Sequence, residues 1–279
     1  MRIPRVVVLG ATGRIGGILR KGWSQGTGQS RLGVLWQARH GTGPETWAVF
    51  DPLKDPDALA RAAKDARAIL CLAGVVPGRG GDLADNAALA MAAIRAGATS
   101  GAKVLLTSSA AVYGAQAGVL DEAAVVAPVS AYGHAKADME ARGADLGREL
   151  GVAVCVLRIG NIAGIDAILG GWKPGFALDR FADGRTPRRS YIGMQTLARV
   201  LGDLLMADRL PGVLNVASPG PVEMGALLNA AGLDWVARPA PDRAIDVVAL
   251  STEALARYTS LPETSPAALV AEWRAMTET

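Results

Sequence analysis

Short apolar runs alternate along this chain with longer segments whose apolar residues return every third or fourth position. Val6 to Leu9 is the first run, continuous rather than alternating, as expected of a parallel strand covered on both faces. It breaks at Gly10 and gives way to a helical pattern from Arg14 to Ser24, followed by a loose Gly/Ser/Gln connection. Strands are predicted at Leu32–Ala38, Trp47–Phe50, Ala68–Leu72, Lys103–Leu106 and Val152–Ile159. Between them fall helices starting at Asp55, a good N-cap followed by Pro56, and spanning Asp82–Ala96 and Ser130–Leu150. Strands alternating with helices of this length specify an α/β fold with a doubly wound parallel sheet.

Beyond Gly164 the periodicity loosens, and glycine, proline, tryptophan and arginine gather between Gly170 and Arg189. The reading is therefore a domain over residues 1–164 and a smaller lobe over 165–279, too interleaved to fold alone. In that lobe helices are expected near Gln195–Asp208, Glu223–Gly232, Ser251–Arg257 and Pro266–Met276, with a short strand at Val213–Val216.

With 279 residues, half of them hydrophobic, the chain can bury a large core. A net charge of +3 with no run of five or more like charges leaves no electrostatic footprint of a nucleic-acid binder. Arg2 and Arg5 ahead of Val6–Leu9 superficially resemble a signal peptide, but the apolar run is too short, and no segment approaches a membrane span. The expectation is a soluble, cytoplasmic protein. Cys71 and Cys155 lie in apolar strand-like runs and point to neither a disulfide scaffold nor a metal site.

The chemistry begins at Gly10-x-x-Gly13-x-x-Gly16, right after the first strand. A glycine turn between strand and helix lets backbone N–H groups and a helix N-terminus face a pyrophosphate, so a dinucleotide is the natural occupant; a glycine turn with no ligand is the plainer alternative. Further on, Tyr132 and Lys136 stand four apart, on one face of a helix. A lysine cation beside a phenol favours its anion, so that the phenol can trade a proton with an alcohol or ketone near neutral pH. Taken alone the pair also reads as a solvated surface pair. Thr107-Ser108-Ser109, however, end a strand at its carboxyl edge, where such folds bind ligands.

These features together resemble the extended short-chain dehydrogenase/reductase family, its NAD(P)-dependent epimerase/dehydratase group, over nearly the whole chain. The resemblance implies a Rossmann-type fold with a C-terminal substrate lobe, and an enzyme that moves a hydride at a carbinol or carbonyl carbon of a sugar or nucleotide sugar. Gly10, Thr12, Gly13, Arg14, Ile15 and Gly16 fall on its phosphate turn. Leu72-Ala73-Gly74 falls on its turn after the fourth strand, and Asp51, with Leu53 nearby, on its adenine-contacting acid. Counting back from Val112-Tyr113-Gly114 puts the catalytic hydroxyl on Ser109, with Tyr132 as general acid/base, Lys136 as its lysine and Tyr113 as a packing residue. Asn86 resembles a helix asparagine of the family. In Arg158-Ile159-Gly160-Asn161 the resemblance places Ile159 near nicotinamide and Asn161 toward substrate. Arg189-Ser190-Tyr191-Ile192 resembles a substrate phosphate motif, with Gly193 and Met194 in place of its His and Val. Lys173, Arg180, Arg185, Arg188 and Arg189 would suit an anionic substrate or form an ordinary basic loop. A homodimer through the helices at Asp82–Ala96 and Ser130–Leu150 is also implied. A small-ketone reductase and a dinucleotide sensor without turnover are the competing readings.

Cofactor choice rests on Leu35-Trp36-Gln37-Ala38-Arg39-His40, which carries no acid to accept the ribose 2′-hydroxyl of NAD. Arg39 there would grip a 2′-phosphate, so NADP(H) is expected over NAD(H). The alternative is a solvated Arg39 with Gln37 serving the 2′-hydroxyl.

Overall fold

The computed structural model describes residues 5–26, 32–41, 47–78 and 80–278. Arg2 and residues 27–31 of the loose connection lie outside them. In chain order the described elements are β1 (Arg5–Leu9), α1 (Arg14–Ser24), β2 (Gly33–Ala38), β3 (Trp47–Val49), α2 (Pro56–Ala63), β4 (Ala66–Cys71), α3 (Asp85–Ser100) and β5 (Lys103–Ser109). A 3-10 turn at Ala110–Tyr113 leads to β6 (Gly118–Leu120), α4 (Ala131–Leu150), β7 (Val154–Ile159), β8 (Asn161–Ile162), β9 (Ala177–Arg180) and β10 (Arg188–Ile192). The chain ends with α5 (Met194–Met206), β11 (Val213–Val216), β12 (Pro221–Glu223), α6 (Met224–Ala231), β13 (Val236–Pro239), β14 (Val247–Leu250) and α7 (Pro266–Thr277).

Seven parallel strands form the main sheet in the order β11-β7-β5-β4-β1-β2-β3. The order reverses between β1 and β4, and open sheets of this kind bind ligands at that point, outside the carboxyl ends of the strands. Because side chains alternate across a strand, Val6 and Val8 face one layer with Ile18 and Leu19 of α1 and Leu197 and Leu201 of α5. Val7 and Leu9 face the other, with Leu59 of α2, Ala90 and Ile94 of α3 and Met139 of α4. Both faces are thus covered, which is why the strands read as unbroken apolar runs. The helix starts are set locally: Asp55, Ser130 and Ser265 accept hydrogen bonds from backbone N–H groups of α2, α4 and α7.

The strand expected at Val213–Val216 pairs with β7 and so belongs to the main sheet rather than to the smaller lobe. Likewise α5 packs beneath β1 and β7 with α1. The lobe core itself is Leu178, Tyr191, Val222, Leu227, Leu228, Leu269 and Val270. Of the helix expected at Ser251–Arg257 only a 3-10 turn at Leu255–Arg257 forms. The C-terminal helix stitches the two parts together. Thr196 of α5 donates from its N–H (2.9 Å) and its hydroxyl (2.6 Å) to the Glu272 carboxylate of α7. A Cβ at Gly193 would overlap that carboxylate, and one at Gly164 would overlap the Trp273 ring. The glycine standing where the family motif has histidine therefore makes room for Glu272.

Candidate active site

At the reversal point lies a cavity of about 310 Å³ lined by the glycine turn, the ends of β4, β5 and β7, and the start of α4. Gly10 sits at a φ of 79°, in the left-handed region that favours glycine. A side chain there would meet the Ala73 backbone at 2.7 Å, and one at Gly16 would meet the carbonyl carbon of Ala11 at 2.6 Å. The glycines thus serve backbone reversal and close helix–strand approach. No acid occupies the first turn of α1 and no side chain caps it, so its N–H groups and dipole suit a pyrophosphate. Thr12 is exposed in this turn. Arg14 and Ile15 line the cavity, and Arg14 Nη1 donates to the Ile165 carbonyl at 2.7 Å.

Across the cavity stand Ser109, Tyr132 and Lys136. Tyr132 is half-buried and Lys136 is 5 % exposed. Lys136 Nζ lies 5.8 Å from the centre of the Tyr132 ring and donates to the Thr107 carbonyl at 2.9 Å. Burial draws the ammonium down to about 8, opposed by the Cys71 sulfur and the Glu140 carboxylate. Burial also raises the Tyr132 phenol; the Arg14 charge and a hydrogen bond from Ser109 pull it back. The cation opposing burial at the phenol is therefore Arg14, supplied by the glycine turn. Ser109 Oγ also accepts from the Ala111 N–H (3.2 Å) and caps the 3-10 turn.

Leu72, Gly74, Ile159 and Asn161 line the same cavity, and Ala73 underlies Gly10. The loop after β4 is pinned by buried Asn86, which accepts from Val75 N–H (3.2 Å) and donates to the carbonyls of Val75 (3.0 Å) and Leu83 (2.9 Å). Asp51 and Leu53 lie off the cavity past β3, where Asp51 Oδ1 accepts from the Leu53 N–H (3.0 Å). Arg39 is exposed at the end of β2. The Gln37 amide is turned inward: it accepts from Gly10 N–H (2.9 Å) and donates to the Phe50 carbonyl (2.6 Å). Only 1 % exposed, it is not free to serve a ribose, which corrects that alternative.

Arg189 is not brought to the cavity. Its guanidinium donates to the backbone carbonyls of Arg188 (2.8 Å), Ile245 (3.1 Å) and Asp246 (3.1 Å). Its basic neighbours are similarly engaged, Arg188 with Asp246 (2.7 Å), Arg185 with Asp183 (2.6 Å) and Arg180 with the Gly184 carbonyl (3.0 Å). Sequence reasoning missed Val75, Val76, Gly160, Ile162, Ile165 and Asp166 as lining residues. Val75, Val76 and Gly160 follow strand ends, a signal that could have found them. Asp166 accepts from four backbone N–H groups between Gly164 and Gly170 and from the Tyr191 hydroxyl (3.2 Å); only the folded loop reveals it.

A doubly wound sheet with a glycine turn at its reversal point and a phenol, an ammonium and a hydroxyl converging there defines a dinucleotide-binding α/β protein of the short-chain dehydrogenase type. More particularly, the NAD dependent epimerase/dehydratase family matches residues 6–168, and the chain belongs to it. A comparison with curated protein sequences gives no significant match. Among solved structures it is similar to the UDP-N-acetylglucosamine 4-epimerase of Bacillus cereus, at 15 % identity and a TM-score of 0.76, covering 99 % of this chain and 100 % of that one. It also resembles the dTDP-glucose 4,6-dehydratase DesIV of Streptomyces venezuelae with NAD bound (19 %, TM-score 0.72, 97 % of each chain). A third is a putative epimerase of Burkholderia cenocepacia (22 %, TM-score 0.75, 99 % of each).

Proposed function

We propose that this chain is an extended short-chain dehydrogenase/reductase that moves a hydride at a carbinol or carbonyl carbon, with a sugar or nucleotide sugar as substrate. The observation that carries the reading is that Ser109, Tyr132 and Lys136 share one cavity with the Gly10–Gly16 turn. When bound, the nicotinamide gives or takes the hydride. Gly10, Thr12, Gly13, Arg14, Ile15 and Gly16 would hold its pyrophosphate, Asp51 and Leu53 the adenosine end, and Leu72, Ala73, Gly74 and Ile159 the stretch between and the ring. Tyr132 exchanges the proton of the reacting oxygen. Held protonated by burial, it starts as an acid toward a carbonyl, and the Arg14 charge and the Ser109 hydroxyl ease its ionisation. Lys136 is placed to hold the nicotinamide ribose, Ser109 to orient the substrate oxygen and Asn161 to face the substrate.

NADP(H) is the preferred form in this reading, because Ala38-Arg39 ends β2 without a carboxylate and the Gln37 amide is consumed internally. Arg189 would reach a substrate phosphate only by releasing its carbonyls, and that observation favours a second reading, reduction of small ketones. The alanine-rich helices α3 and α4 would pair two copies, which light scattering at micromolar concentration tests.

The deciding experiment follows reduced-nicotinamide absorbance over nucleotide sugars, sugars and small ketones, with mass spectrometry for redox-neutral products. Tyr132→Phe should cut the turnover found there by roughly 10²–10⁴-fold while dinucleotide still binds. Unchanged output from Tyr132→Phe would instead make the chain a dinucleotide sensor.

A further inference from the structure

Residues Tyr132, Lys136 and Glu140 are spaced by four along α4 and so share one face. The third of them is 7 % exposed and takes no part in the cavity. Its carboxylate accepts from the Ser108 hydroxyl and from Arg158 of β7 through Nε (3.0 Å) and Nη2 (2.8 Å). Arg158 reaches on through Nη1 to the Tyr113 hydroxyl (3.0 Å) and the Glu122 carbonyl (3.2 Å). Ser108 precedes Ser109 and Arg158 precedes Ile159, both of which line the cavity.

We propose that Glu140 is a positioning residue of the reaction assigned above: by bonding Ser108 and Arg158 it locks the α4 face that carries Tyr132 and Lys136 against the strand ends that carry Ser109 and Ile159, and sets a negative charge one turn behind Lys136. The inference rests on that assignment of Tyr132, Lys136 and Ser109.

A buried ion pair holds a helix on a sheet no better than an apolar pair of the same volume, since desolvation offsets the Coulomb attraction. What it adds is a fixed rotation of the helix and a fixed charge. The charge has a use here. Facing Lys136 are Tyr132, the Met139 thioether and Glu140 on its own helix, the Cys71 thiol of β4 and the Thr107 carbonyl of β5. Burial pushes the Cys71 thiol up to about 11, so it is neutral when Lys136 titrates near 8. Among these groups Glu140 is the carboxylate, one turn along the helix from the ammonium, that opposes its loss of charge.

The test is the dissociation constant of NADPH and NADH, read by fluorescence between about pH 6 and 9. In the unaltered protein affinity should fall as Lys136 loses its proton, with a midpoint near 8. Glu140→Gln keeps the shape and loses the charge. Its midpoint should move to lower pH, and above the old midpoint affinity should drop about tenfold for each unit moved. Glu140→Asp, which keeps the charge, should restore the midpoint. A folded Glu140→Gln protein with an unmoved midpoint overturns the proposal. Should Glu140→Gln not fold, Glu140→Gln with Arg158→Gln leaves no lone buried charge and is read the same way. Failure of that double variant to fold makes the pair a folding element and overturns the proposal too. An unaltered protein that binds neither dinucleotide at any pH refutes instead the functional reading beneath it.

Discussion

Adding one methyl group at Gly16 should damage both the fold and the cofactor site, whereas the same change one residue later should improve the fold. In helix interiors Ala is favoured over Gly by roughly 0.8–1 kcal/mol. At Gly17 the nearest atom to a new Cβ is the flexible end of Arg20, 3.9 Å away, so Gly17→Ala should collect most of that gain. At Gly16 the new Cβ would lie 2.6 Å from the Ala11 carbonyl carbon and 2.8 Å from its Cα, and closer still to its oxygen. These are backbone atoms of the glycine turn, so α1 must move away from β1. Overpacking of this kind costs about 1–3 kcal/mol, and more when backbone has to shift. Subtracting the helix gain leaves Gly16→Ala less stable by about 2 kcal/mol, a melting midpoint lower by roughly 4–8 °C for a chain of this size. Gly17→Ala should melt about 1–3 °C higher. Calorimetric melts of the two variants, followed by titration with NADPH and NADH, check both consequences. Because the displaced N–H groups are those proposed to hold the pyrophosphate, Gly16→Ala should also bind at least about tenfold more weakly, the loss of one charge-assisted hydrogen bond of about 1.5 kcal/mol or more. Equal midpoints for the two variants would refute the argument that Gly16 is required by approach to Ala11.

Other substitutions probe separate parts of the same reasoning. Gly193→Ala should lose about 2 kcal/mol in urea unfolding by overlapping Glu272, and adding Glu272→Ala should recover part of it; strict additivity would argue against the contact. Lys136→Met removes a buried ammonium and should stabilise the fold at pH 7 by about 1–2 kcal/mol while abolishing turnover. Lys136 is drawn below its ordinary value, so its charging cost is fully present below about pH 8 and fades as pH rises through that value. The advantage of the variant over the unaltered protein should therefore shrink in melts carried out above pH 8. Arg39→Ala should weaken NADPH binding by roughly 1.5–3 kcal/mol, the scale of hydrogen bonds to a charged group, and leave NADH nearly untouched; calorimetry with both decides it.

The chain's own periodicity determined most of the main layer. Val6–Leu9, Arg14–Ser24 and Ser130–Leu150 carry their periods and caps within a few residues, so α1 and the Ser130-capped α4 stand where local pattern puts them. The glycine spacing and the four-residue step from Tyr132 to Lys136 are likewise local facts, and with the Thr107–Ser109 strand end they carry the family resemblance. Strands of two to five residues such as β8, β9, β10 and β12 have no such signature. They are stabilised by partners far along the chain, Tyr191 beside Asn161 or Val248 beside Gly118, and no window of sequence contains both sides of the pair. The same holds for Val213–Val216, whose form was readable but whose place at the edge of the main sheet depended on β7.

Tertiary structure also decided what polar side chains do. Gln37, Arg189 and Glu140 look equally available in the sequence. Folding turns the first into a clamp on Gly10, ties the second to the carbonyls of residues 245 and 246, and buries the third against Arg158. A short sequence motif specifies which groups are present. Which of them face the cavity depends on every other polar group competing for the same hydrogen bonds once water is excluded.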